Sequence, residues 1–189
     1  MTNLPPLGDL PLSQIAQLAA ASKLPPVETW HPQHCGDSSM RILTDGTWLH
    51  EGSPITREGM VRLFSTVLRR EADGSHVLVT PVEKLSIAVD DAPFVAVEMS
   101  SQGEGRERCL AFRTNVGDHV VAGPDHRLML EDRGHGPRLY LRVRGGLDAL
   151  IGRSIYYDLA NLAIDEAAAS DTTIGLWSEG MFFAMGECL

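Results

Sequence analysis

The stretch "HVLVTPVEKLSIAVDDAPFVAVEM" (residues 76–99) carries three apolar runs, at 76–80, 85–89 and 94–99, broken by Thr80-Pro81 and by Asp90-Asp91. Each run is too short for a helix and is rich in β-branched residues, so each reads as a strand. The links between them are too short for the crossover that a parallel neighbour needs, so pairing is expected to be mainly antiparallel. The pattern continues downstream. Strands are expected at 108–114, 119–122, 127–131 and 138–144, with turn chemistry in "SQGEG", "NVGD" and "EDRGHG" between them.

Helices flank this run. Thr56 is suited to cap a helix reaching Glu71, with Val61, Phe64 and Leu68 on its inner face. Gly145-Gly146 is expected to break the chain into a second helix over 147–168, followed by strands 173–177 and 181–185 around Glu179-Gly180. Upstream, Leu10–Ser22 has helical spacing. The prolines of "KLPPVETWHP" (23–32) then forbid regular structure, and Arg41–Leu49 reads as a hairpin around Asp45-Gly46. The fold class is therefore α+β with mainly antiparallel sheets, as two small subdomains. The division is 1–24 for an N-terminal helix and arm, 25–98 for an N-terminal subdomain and 99–189 for a C-terminal one.

Composition narrows the function classes. The 189 residues are 43% apolar and 22% charged, with a formal net charge of −9. That charge opposes binding to nucleic acid or an anionic membrane surface. No apolar run is long enough to insert in a membrane, and no basic leader precedes an apolar one, so no signal peptide is expected. Cys35, Cys109 and Cys188 lie far apart, which suits a reducing compartment such as the cytoplasm. Cations are uneven. Nine arginines fall between Arg106 and Arg153, whereas 154–189 holds six carboxylates and no Lys or Arg.

Two short frames recur. "DGTWLHEG" (45–52) and "EGMFFAMG" (179–186) share acidic–Gly–x–aromatic–x–x–x–Gly, and Ile55-x-Arg57 is echoed by Ile151-x-Arg153. Each half would then offer a tight hairpin beside a helix start, in opposite order, which suggests a duplication.

Three stretches carry chemical side chains. "WHPQHCGD" (30–37) has two histidines and a cysteine, but no second compact Cys/His pair completes a metal site, and no elbow presents Cys35 as a nucleophile. The preferred reading is an ordered loop, with Trp30 and Cys35 packing and Asp37 capping a turn. "RLYLRVR" (138–144), read as a strand, puts Arg138, Tyr140, Arg142 and Arg144 on one face, at a spacing that suits phosphates with Tyr140 for stacking. A solvated face paired with Glu131 and Asp132 is the alternative. "AFRTNVGDHV" (111–120) places Asn115, Gly117 and Asp118 in a turn that can form an anion nest, although an ordinary hairpin turn is the preferred reading. Walker, HExxH, GxSxG and dinucleotide-binding glycine patterns are absent, and no cofactor is expected.

Taken together, "WHPQHCGD", "DGTWLHEGSPITR", "LVTPVEKLSIAVDDAPF", "YLRVRGGLDALIGRSIYYDL" and "LWSEGMFFAMG" resemble the bacterial family known as domain of unknown function 1285, over nearly the whole chain from Val27. The resemblance implies two subdomains built from repeated motifs and a C-terminal part superficially like pleckstrin-homology folds. It also implies a nucleotide-like ligand at the subdomain interface and a role in signal transduction. The matching positions include Trp30, Asp37, Asn115, Tyr140, Arg144 and Arg153, whereas His31 and His34 fall outside the pattern. The expectation is a cytoplasmic, non-enzymatic binder of a small anionic ligand, with a signalling partner. Arg142, Arg144 and Arg153 would pair with phosphates, Tyr140 or Trp30 would stack, and Asn115 or Asp37 would fix a polar edge. A thiol- or metal-dependent hydrolase centred on Cys35, and a protein-binding scaffold using the strands near Phe182 and Phe183, are the alternatives.

Overall fold

The structure, a computed structural model, describes residues 24–167 and 173–187. The helix expected at Leu10–Ser22 lies outside them. After a single 3-10 turn at Val27–Thr29, the first sheet comprises β1 (His34–Ile42), β2 (Trp48–His50), β3 (Ser53–Pro54), β4 (Leu68–Arg70), β5 (His76–Val79) and β6 (Glu83–Val89). Helix α1 (Glu58–Thr66) joins β3 to β4. The second sheet holds β7 (Phe94–Gln102), β8 (Cys109–Thr114), β9 (His119–Val121), β10 (Leu128–Asp132), β11 (Pro137–Arg144) and β12 (Leu147–Ile151). Helix α2 (Arg153–Glu166) and a hairpin of β13 (Thr173–Ser178) and β14 (Met181–Glu187) follow.

Both sheets have the same strand order. The first runs β3-β2-β1-β6-β5-β4, and the second, read from its far edge, runs β9-β8-β7-β12-β11-β10. Each is a pair of three-stranded antiparallel meanders joined through one central parallel pair, β1 with β6 and β7 with β12. The chain is thus α+β, with two repeated sheet subdomains. Antiparallel pairing dominates because consecutive strands do pair as hairpins. The parallel pairs join strands far apart in sequence, which short links cannot forbid. The repetition lies in strand order and not in the two short frames. Asp45-Gly46 sits between β1 and β2, whereas Glu179-Gly180 turns the separate β13–β14 hairpin.

Local differences from the sequence reading have physical causes. The second half of the loop expected at 30–37 is strand, since β1 begins at His34. Its outer half is exposed and polar, so no apolar alternation marks it. Helix α1 ends at Thr66 where Glu71 was expected. The chain turns at Val67, and Leu68–Arg70 join β5 instead. The helix expected over 147–168 starts only at Arg153, because Gly145 and Gly146 (φ 48° and 75°) form a two-residue hairpin turn that returns the chain as β12.

One apolar core runs through both subdomains. Ile42, Trp48 and Leu68 of the first lie in the same cluster as Phe94, Leu141 and Leu147 of the second. The β13–β14 hairpin is keyed to the second sheet by the buried Ser178 hydroxyl, which accepts from the Leu110 amide (2.9 Å) and donates to the Ala122 carbonyl (2.7 Å). Among the described residues no helix is long and apolar enough to cross a membrane.

Asn115 ties the subdomains together. Its amide group accepts from the Val95 amide at 3.0 Å and donates to the Gly46 carbonyl at 3.3 Å, so the β1–β2 loop is latched onto the second sheet. Gly46 is buried with φ 83°, and a Cβ there would lie 2.5 Å from Asn115 Nδ2. Gly46→Ala is expected to cost about 2–3 kcal/mol in urea unfolding, from a left-handed backbone penalty of ~1–2 kcal/mol plus the clash. In an Asn115→Ala background the further cost of Gly46→Ala should fall to the backbone part alone. Additive costs would show that the latch is not the source.

Candidate functional site

A cleft of about 470 Å³ opens between the sheets, lined by Arg70, Gly74 and His76 of the first and by Glu131, Arg133, Arg142, Gly146 and Asp148 of the second. Val89, Asp91 and Pro93, at the crossing from one sheet to the other, complete it. Its size lies in the ~300–1,000 Å³ range of small-ligand sites.

Two buried carboxylates organise this wall. The Asp91 side chain is fully buried and accepts from the Tyr140 hydroxyl (2.7 Å) and Arg138 Nη1 (2.9 Å). Asp148, 2% exposed, accepts from Arg142 Nε at 2.5 Å on one oxygen and from Arg133 Nη2 at 2.7 Å on the other. Arg133 also grips Glu131 Oε2 through Nε and Nη2 at 3.0 and 2.7 Å. Burying an ionised carboxylate is costly without such partners, so the arginines are held where the carboxylates require them. The three lining carboxylates all have arginine partners. What the cleft retains is donor capacity: among the described residues Arg142 spends only Nε, and Arg70 makes a single 3.3 Å bond to the Gly146 carbonyl. A site whose unspent groups are guanidinium N–H donors suits an anion.

Of the seven expected ligand contacts, the structure brings only Arg142 into the cleft lining, while Tyr140 reaches it only through its bond to the lining Asp91. Tyr140 is fully buried and the Arg133 guanidinium covers its ring at 3.7 Å, so the face expected to stack on a ligand is occupied from within. Burial first, and then the Asp91 carboxylate, raise the Tyr140 hydroxyl pKa well above its usual value. Arg144 departs from the expected face. The β11–β12 register pairs Arg142 with Asp148 but Arg144 with Leu147, so a bulge at Val143 sends the two arginines to opposite sides. Arg144 instead pairs with Asp118, donates to the Ser65 carbonyl at the end of α1 (3.0 Å) and covers the Phe94 ring, which makes it a subdomain tie.

The remaining four lie elsewhere. Asn115 is the latch described above. Asp37 is exposed on β1, where Oδ1 accepts from the Ser39 amide (3.0 Å) and the Ser86 hydroxyl (3.1 Å) and holds a local irregularity with Ser39 at φ 54°. Trp30 belongs to the arm that the buried Arg69 pins by donating to the Val27 and Trp30 carbonyls, each at 2.8 Å. Arg153 opens α2 and lines a separate groove. Sequence reasoning missed Arg70, His76, Arg133 and Asp148. A strand assignment for 147–151 would have exposed Asp148, because a lone carboxylate among Leu147, Ala149 and Ile151 signals a buried partner.

Among the described residues no three His, Cys, Asp or Glu side chains cluster as a metal would require. Cys35 is exposed in a shallow groove with Lys84, Glu71 and Asp73, and no imidazole lines it. Phe183 is buried, and Phe182 packs on Trp177 at 5.3 Å.

Two repeated mixed-sheet subdomains with an arginine–carboxylate wall between them define the class of protein. Residues 25–92 match the model described as the N-terminal domain of DUF1285, a domain of unknown function, and residues 93–185 match the model of its C-terminal domain. The chain belongs to the DUF1285 family. A solved DUF1285 protein from Silicibacter pomeroyi DSS-3 is 46% identical, with a TM-score of 0.77 over 92% of this chain and 94% of that one. Another, from Shewanella baltica OS155, is 26% identical, with a TM-score of 0.52 over 65% of this chain and 91% of that one. No curated protein matches.

Asp148→Asn should destabilise the fold by about 3 kcal/mol, because it leaves two arginines without their shared counter-charge. Asp73→Asn, a fully exposed turn carboxylate, should cost much less in the same urea titration. The pKa of His76 is lowered from its usual value, first by burial and then by Arg70. The unfolded chain therefore takes up this proton before the folded one, so stability is expected to fall as the pH drops below about 6.5. His76→Gln should flatten that slope, and an unchanged slope would place the effect elsewhere, first at His119, which burial shifts the same way.

Proposed function

We propose that the protein is a non-enzymatic binder of a small phosphate- or carboxylate-bearing ligand, held in the cleft between the two sheets. The observation that carries this reading is the unspent donor capacity of Arg142 and Arg70 in a cleft whose carboxylates are all engaged. An anion bridging the two guanidiniums would contact both subdomains at once, since Arg70 ends β4 and Arg142 lies on β11. It would favour whichever arrangement of the sheets brings the arginines together, which is the differential binding that a switch requires.

The nucleotide-like character implied by the family resemblance enters as part of the same proposal. Its support is the phosphate half, whereas a base in this cleft would rest on the His76 imidazole or the Arg133 guanidinium and not on Tyr140 or Trp30. A cytoplasmic role in signal transduction, with a C-terminal part of pleckstrin-homology-like character, belongs to the proposal too. The exposed, unpaired Cys35 thiol suits a reducing compartment, and a helix, α2, follows the second sheet as it would in such a fold.

Calorimetric titration with pyrophosphate and with nucleoside diphosphates tests the reading. Arg142→Gln and Arg70→Gln are each expected to weaken binding at least tenfold, about 1.4 kcal/mol, and Arg70→Gln should do so with little loss of stability. Undiminished binding in both variants would refute the cleft as the site.

A further inference from the structure

A second concavity has the opposite electrostatic character to the chain as a whole. A groove of about 460 Å³ lies between the ends of β11 and β12 and the start of α2, entirely within the second subdomain. Arg138, Arg153 and His135 line it, and among the described residues no carboxylate does, in a protein of formal net charge −9. Arg138 engages Asp91 through Nη1, and the Arg153 side chain makes no ion pair or hydrogen bond among the described residues. Arg153 thus stands without a counter-charge beside an Arg138 that is only partly engaged, and a bound anion would serve both. The start of α2 adds to the imbalance. Its first residue is Arg153, its first turn has no acidic residue and no side chain caps it, so a cation stands where the helix dipole favours an anion.

The rest of the groove is not built for a bare inorganic ion. Leu139, Leu150 and Ile151 give it an apolar floor. Tyr156 and Tyr157 form a wall, edge to face at 6.1 Å, and Tyr157 remains 60% exposed. A large aromatic left in water beside an apolar floor and two arginines is complementary to a ligand with a flat apolar body and an anionic head.

We infer that this groove is a second binding site, for a small aryl anion such as an aromatic phosphate monoester or carboxylate. The head meets Arg153, Arg138 and the free amides at the start of α2, and the ring lies on Leu150 against Tyr157. The site is separate from the inter-sheet cleft, since Arg142 and Arg70 do not line it. Arg138 is its one link to that cleft, through Asp91.

Phenyl phosphate, benzoate and inorganic phosphate are the probes, titrated into the full chain and followed by calorimetry and by amide chemical shifts. Phenyl phosphate is expected to bind with a Kd of about 1 mM or tighter, and inorganic phosphate at least roughly tenfold more weakly. Shifts should centre on Arg153, Ser154 and Ile155. Benzoate binding as well as phenyl phosphate would mark a carboxylate site, and weaker binding would mark a phosphate site. Arg153→Gln and Tyr157→Ala, both exposed and safe for folding, should each weaken phenyl phosphate several-fold as read from the Ser154 and Ile155 shifts, whereas Arg142→Gln should leave the titration of those shifts unchanged. Absence of saturable phenyl phosphate binding, or binding indifferent to both groove variants, overturns the inference. Equal binding of inorganic phosphate overturns the aryl part of it.

Discussion

The wall between the two sheets depends on two buried carboxylates. Asp91 and Asp148 are almost wholly shielded from water, and only close, charge-assisted hydrogen bonds make that tolerable. Arg133, Arg138 and Arg142 are therefore not surface arginines free to wander. Each has one edge committed to a buried oxygen, and the remainder of its guanidinium points wherever that commitment leaves it. For Arg142 it points into the cleft, and for Arg138 toward the groove beside α2. A cation fixed in advance loses little entropy when an anion arrives, which distinguishes these arginines from an exposed one such as Arg41 on Asp90.

A second constraint follows from the repeated architecture. Two sheets of identical strand order meet across one continuous core, and the polar ties at their junction divide the labour. Asn115 latches a loop, and Arg144 spans from Asp118 to the end of α1. The single-residue bulge at Val143 allows this. Without it Arg144 would share a face with Arg142 and the junction would lose its tie. One strand thus supplies a structural arginine and a ligand-facing one two residues apart.

Much of this was legible in the sequence. The strands from residue 76 to 144 follow from apolar runs and turn chemistry, and the two-subdomain α+β class follows from them. The family resemblance was carried by long quoted stretches and proved sound. The wall itself was legible only in part. Alternation along "RLYLRVR" found the arginines, but a bulge is set by the partner strand and leaves no mark in one strand's own pattern. Gly145-Gly146 suits a helix break and a hairpin turn equally well, and the helical reading leaves Asp148 indistinct from a solvent-facing carboxylate. Arg70 and His76 could not have been found, since only the meeting of two sheets distant in sequence makes them neighbours of Arg142. Trp30, Asp37 and Asn115 match the expected ligand contacts, yet each serves the fold: Arg69 pins the Trp30 carbonyl, Asp37 accepts from the Ser39 amide and the Ser86 hydroxyl, and the Asn115 amide group is taken by the backbone of Val95 and Gly46.

The most direct test is to locate an anion crystallographically. Crystals grown with selenate, whose anomalous scattering marks its own position, should show a peak in the inter-sheet cleft within hydrogen-bonding distance of Arg70 and Arg142. An empty cleft, with anomalous density only at other arginines, would contradict the account.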